Sequence, residues 1–178
     1  MATFYTQQSK NVRKTWILMS AFLVIVIGIG WVFSQVYSDS SFVVVAVIFS
    51  LSMNFFSYWY SDKIVLKMAG AYPIKRKENL ELYRIVENLC ITAGLKIPRI
   101  YIINDPSPNA FATGRNQDNA AIALTTGLLQ TLNKSELEGV IAHELSHIGN
   151  RDILISTIVV ILVGFVALLS DFFLRARF

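Results

Sequence analysis

Acidic and basic side chains are scarce in this chain: 16% of its 178 residues are Asp, Glu, Lys or Arg, where soluble proteins average about 25%. Hydrophobic residues make up 54% and the mean hydropathy is +0.51, so a membrane class is the first expectation. Cysteine is reduced to Cys90 alone, which excludes an intrachain disulfide and removes any reason to infer an oxidising compartment. Cys90 falls at an apolar position of a predicted helix, where a small buried hydrophobe is the expected role rather than a nucleophile. The net charge of +4 is modest, and much of the basic surplus flanks apolar runs. That pattern is membrane topology rather than nucleic-acid binding.

Histidine is nearly as scarce. The two that exist, His143 and His147, both lie in His143-Glu144-Leu145-Ser146-His147. Residues four apart stand one above the other on a helix, so the two imidazoles can share one metal ion, and Glu144 can reach a water on that metal. This is the H-E-x-x-H arrangement of zinc peptidases. Zinc lowers the pKa of its water from about 16 towards roughly 7, and a carboxylate beside it can carry the proton from the water to a leaving amine. One Zn2+ is therefore expected, with His143 and His147 as ligands and Glu144 as catalytic base. Leu137, Val140, Ile141, Leu145 and Ile148 give the segment a helical apolar face. Ser135 and Glu138 are placed to form its N-terminal capping box.

Long charge-free runs fix the rest of the organisation. Residues 1–15 are polar and basic. Trp16 to Val36 is long enough to cross a bilayer, which takes about 20 helical residues, and it lacks a small-x-small cleavage pattern at its end. A short link containing Asp39 leads to a second run, Phe42 to Tyr60, so 16–61 is expected to be a transmembrane hairpin. Asn54 can hydrogen-bond across that pair, and Trp16, Trp31, Tyr58, Trp59 and Tyr60 lie towards span ends, as in aromatic belts. Lys10, Arg13 and Lys14 before the hairpin, and Lys63, Lys67, Lys75, Arg76 and Lys77 after it, place both flanks and the metal motif in the cytoplasm by the positive-inside rule.

Residues 62–152 form the soluble portion. A helix is expected from Glu78 to Ala93 with Gly94 as its C-cap, and a strand from Ile100 to Ile103. Two extended pieces, Asn109 to Gly114 and Ala120 to Thr125, should pair as a hairpin beside the metal helix, and such an edge can bind an extended peptide through main-chain hydrogen bonds. A short helix is expected from Thr126 to Leu132. Asp152 lies about 140° from His147 and about 180° from His143 on an unbroken helix. It can approach the ligands only if the helix breaks near Gly149-Asn150; otherwise it is a solvated residue. Residues 153–178 hold a third uncharged run, Ile153 to Ser170, about 27 Å long as a helix. It either spans or lies against the first hairpin. If it crosses, Arg175 and Arg177 end on the far side, against the positive-inside preference.

With the hairpin, Asn109-Ala110-Phe111-Ala112-Thr113-Gly114, Thr126-Gly127-Leu128-Leu129 and His143 through Asp152 in view, the chain resembles the HtpX family of membrane zinc metalloproteases. The resemblance implies an α-helical membrane protein with a small cytoplasmic α+β zincin-like domain. It also implies a substrate strand carrying Asn109, Ala110, Phe111 and Ala112. The setting it suggests is the bacterial plasma membrane, with misfolded membrane proteins as substrates and the lipid bilayer as partner; nucleic acid is not expected and a homo-oligomer is allowed. The family takes a third zinc ligand from a glutamate on a later helix, and no Glu follows Glu144 here. Asp152, a candidate to stand behind the ligands, and Asp171 are the downstream acids, and neither has a convincing position as the third ligand. The chain is thus expected to be the N-terminal part of such a protease, with a catalytically incomplete membrane protein that acts by binding partners as the alternative.

Overall fold

In the computed structural model, which describes the backbone of residues 4–176 and the side chains of 8–167, helices dominate. The first helix, α1 (Phe4–Tyr37), begins well before the apolar run, because the Gln, Lys and Arg residues ahead of Trp16 are good helix formers. The tight link at 38–40 turns through Ser38 at φ 54°, and the backbone N–H of Ser41 donates to Asp39 at 2.8 Å. Helix α2 (Ser41–Trp59) then runs back along α1. Gly30 lets the two approach closely, since a Cβ there would lie 2.4 Å from that of Ala46. Asn54 crosses the pair as expected, its Nδ2 donating to the Met19 carbonyl at 3.1 Å. Trp16 stacks on Tyr58 with ring centroids 5.7 Å apart, so the start of one apolar run lies level with the end of the other.

After α2 the chain forms α3 (Ser61–Met68) and enters a four-stranded sheet, with α4 (Leu80–Ala93) between the first two strands. The strands are β1 (Tyr72–Pro73), β2 (Arg99–Ile103), β3 (Ala110–Thr113) and β4 (Ala121–Thr125), in the order β1-β2-β4-β3. The expected hairpin is the antiparallel β3/β4 pair, while β2 and β4 run parallel. The two-residue β1 was not anticipated: it contains Pro73, and proline is confined to edges of sheets. Helix α4 ends on Gly94 in the left-handed conformation, as expected, but starts after Asn79 rather than at Glu78, because the Asn79 side chain accepts from the Leu82 N–H as its N-cap.

Two-residue periodicity sorts the sheet side chains. Ile100, Ile102, Ile122 and Leu124 face α4 and α6 (Lys134–Asn150), where they join Leu82, Val86, Ile141, Leu145 and Ile148 in the main core. Each such side chain, fully buried, contributes about 1.5–3 kcal/mol. Ala121 and Ala123 face the other way, against Leu66 of α3. The short α5 (Thr126–Thr131) is pressed against the preceding loop: a Cβ on Gly127 would fall 1.9 Å from the Pro106 carbonyl oxygen, so only glycine fits.

The metal-motif helix starts earlier than Ser135. Its capping box is Asn133 with Glu136, each side chain accepting from the other's backbone N–H. The overlapping Asn-x-x-Glu pattern wins because α5 ends at Thr131 and only two residues remain to turn the chain; starting at once adds intrahelical hydrogen bonds. Beyond α6 comes α7 (Ile153–Ala176), bent 91° from it. It lies against the first hairpin: Leu154, Ile158 and Leu162 pack with Met19, Phe22 and Met53, and Phe165 meets Phe49 at 4.9 Å. Two helices, covering Gln8–Tyr37 and Ser41–Trp59, are long and apolar enough to cross a membrane, and three if the bent α6–α7 pair counts as one span. The side chains of Asp171 and Arg175, and all of Arg177 and Phe178, lie outside the described residues.

Candidate metal centre

His143 is exposed and Glu144 and His147 are half-buried on α6, to the side of its buried stripe of Leu137, Ile141, Leu145 and Ile148. The two histidine Nε2 atoms lie 3.2 Å apart. Two nitrogens on one tetrahedral zinc, each about 2.0–2.1 Å from it, stand about 3.3 Å apart, so the pair has the spacing of a shared ligand set. His147 Nδ1 is 2.9 Å from Asp152 Oδ2. With Nδ1–H donating to that carboxylate, the Nε2 lone pair is left for a metal.

Asp152 reaches this position because α6 stops. Arg151 adopts the left-handed conformation at φ 54°, ending the helix one residue beyond the expected break and turning Asp152 back onto the last imidazole. Gln8 Nε2 donates to the Gly149 carbonyl at 2.7 Å and Asn11 Nδ2 to the Asn150 carbonyl at 3.1 Å, so the N-terminal turns of α1 cap the end of the motif helix. Sequence reasoning missed these two residues; they lie 141 and 139 positions from their partners.

Glu144 turns the other way. Its Oε2 accepts the backbone N–H of Ala112 at 2.9 Å, tying the carboxylate to the edge strand β3. The Asn109–Thr125 pair is hydrogen-bonded, with Thr125 N–H donating to the Asn109 carbonyl at 3.0 Å and Asn109 N–H to Thr125 Oγ1 at 2.9 Å. Antiparallel alternation then points the main-chain groups of Ala110 and Ala112 away from β4. The side chains of these two alanines pack on the main core, whereas Phe111 packs beside Leu66. Next to this edge is an apolar cavity of about 400 Å3, walled by Val65, Met68, Phe111, Thr157 and Val160.

Among the described residues no third His, Cys, Asp or Glu joins the histidine pair as a ligand. The donor set fits two of the protein ligands a zinc site uses, with a carboxylate behind one of them. Cys90 plays no part: it is fully buried in the main core, and burial pushes its thiol up to about 11.

Residues 76–177, from just before α4 to the end of α7, match the model of peptidase family M48. The chain belongs to that family. It is also similar to proteins named Protease HtpX homolog. That of Caldanaerobacter subterraneus subsp. tengcongensis is 43% identical over 175 residues, which is 98% of this chain and 58% of the relative. That of Paraburkholderia phytofirmans is 46% identical over 162 residues, 91% of this chain and 55% of the relative. The chain thus spans a little over half the length of these curated relatives. The M48 match takes in both the histidine pair and the β3 edge, the two features that the fold brings to one side of α6.

Proposed function

We propose that this chain carries the metal-binding and proton-transferring part of a zinc metalloendopeptidase of the membrane. In this reading His143 and His147 hold one zinc ion, Glu144 is the general base, and Asp152 orients His147. The observation that carries it is the 3.2 Å approach of the two Nε2 atoms with His147 Nδ1 anchored on Asp152. A zinc ion bound there supplies Lewis acidity, polarising a carbonyl and lowering the pKa of water.

The protein's own groups do the rest. An extended substrate lies along β3, pairing with the outward main-chain groups of Ala110 and with the carbonyl of Ala112, whose N–H is taken by Glu144, and places a side chain over the apolar cavity beside Phe111. Asn109 holds the start of that strand through Thr125. The Glu144 carboxylate, fixed at the same edge, takes a proton from the attacking water and delivers it to the leaving amine. The two or three apolar helices seat the site at the surface of a bacterial plasma membrane as a multi-pass protein. The basic residues flanking the hairpin favour a cytoplasmic site, and membrane proteins in need of removal are the substrates that suit this position.

A second reading is supported by the absence of a third ligand among the described residues: a membrane protein that binds partners without cleaving them. Zinc content of the purified, detergent-solubilised chain separates the two. The peptidase reading expects about one zinc per chain, lost in His143→Ala and kept in Glu144→Gln, with proteolysis abolished in both. Cleavage that survives Glu144→Gln would reject the assignment of the base, and a chain that holds no zinc would favour the binding protein.

A further inference from the structure

Where α2 ends and α3 begins, a cavity of about 500 Å3 opens between the hairpin and the soluble portion. One wall is apolar and belongs to the span: Phe55 and Trp59 are 54% and 49% exposed. The other wall carries three cationic side chains, Lys63, Arg99 and Arg115, and a single carboxylate, Asp62. That carboxylate is already neutralised by Arg99, 2.5 Å away. Lys63 and Arg115 have no carboxylate partner among the described residues. Each is held instead over an aromatic ring, Arg115 at 4.4 Å from the centre of Trp59 and Lys63 at 5.5 Å from that of Tyr60. Two unneutralised cations, positioned by interfacial aromatics at the end of an apolar span, face an open space.

We propose that this cavity binds the headgroup of an anionic phospholipid, the phosphodiester between Lys63 and Arg115 and the acyl chains along Phe55 and Trp59. Charge complementarity selects an anion, since cations exceed carboxylates. The exposed apolar wall selects a lipid over a soluble phosphate, because a free anion leaves Phe55 and Trp59 uncovered. Juxtamembrane Lys and Arg are recognised by anionic lipids through this combination of charge and depth, and the interfacial aromatics anchor the same level. Arg99, through the Asn119 carbonyl it also contacts at 3.1 Å, links the site to the loop between β3 and β4.

The test uses the full chain in detergent, delipidated and then offered dioleoyl phosphatidylglycerol or dioleoyl phosphatidylcholine, with retained lipid counted by native mass spectrometry. Phosphatidylglycerol should be retained about 25-fold over phosphatidylcholine, about fivefold for each of the two cations. Lys63→Gln and Arg115→Gln should each lower its retention about fivefold, and the double variant should bring it to the phosphatidylcholine level. Lys96→Gln, which removes an exposed cation paired with Asp118, should change nothing. Arg115→Lys, which keeps the charge and is the gentler change for folding, should retain most of the preference. Equal retention of the two lipids, or a preference unchanged in the double variant, would overturn the site. Displacement of phosphatidylglycerol by millimolar inorganic phosphate would show a free-anion site and overturn the lipid assignment.

Discussion

In the proposed metal centre the carboxylate of Asp152 acts at one remove. Its Oδ2 takes the Nδ1 hydrogen of His147, which fixes both the tautomer and the ring plane; its Oδ1 is buried without a partner. Partners of this kind contribute about ten- to hundredfold to metal affinity. Asp152→Asn should therefore weaken zinc binding by about that factor while leaving helix content unchanged, as read by chelator competition beside circular dichroism. An unaltered affinity would show that His147 needs no help. At this scale the sequence reveals the histidines plainly, because four-residue spacing on a helix has one geometric consequence. Asp152 could not be decided, because everything turns on one backbone angle at Arg151, and arginine has no intrinsic preference for the left-handed region.

Element boundaries explain how that angle arises. Helix α6 is fixed at its start by Asn133 and Glu136 and stopped at Arg151, so the histidines fall in its last two turns and the chain can fold back at once. A non-glycine residue in the left-handed conformation costs about 1–2 kcal/mol, and a β-branched one is worse placed there. Arg151→Gly should keep or raise the thermal midpoint in detergent and retain zinc. Arg151→Val should lower the midpoint and, by moving Asp152 off His147, weaken zinc binding as well. Equal behaviour of the two variants would mean that the turn is not under conformational control. Helices α2, α4, α5 and α6 and the β3/β4 hairpin were readable from periodicity to within a few residues, whereas α1 begins at Phe4 rather than Trp16, α3 was not expected, and the capping box was misplaced by two. Asn133-Lys134-Ser135-Glu136-Leu137-Glu138 contains two overlapping capping patterns, and local chemistry alone does not rank them.

Across the whole molecule, the membrane hairpin and the metal helix are joined at a point that no local pattern announces. The last carbonyls of a helix lack partners within it, and those of Gly149 and Asn150 are taken by Gln8 and Asn11 from the opposite end of the chain. Helix α7 closes the arrangement: it packs on both helices of the hairpin, and its Thr157 hydroxyl meets that of Thr113, at the end of the edge strand, at 3.1 Å. The end of α6 is thus held by α1 on one side and by the α6–α7 corner on the other. Each hydrogen bond from Gln8 and Asn11 is worth about 1 kcal/mol, which is small against global stability but large against the local opening of a helix end. Removing both in Gln8→Ala/Asn11→Ala should speed amide exchange several-fold at residues 147–152 and leave exchange in α2 and β4 as it was. If exchange at 147–152 stays the same, the corner holds itself. If exchange rises throughout the protein, these side chains support the whole packing of hairpin on domain rather than the metal corner.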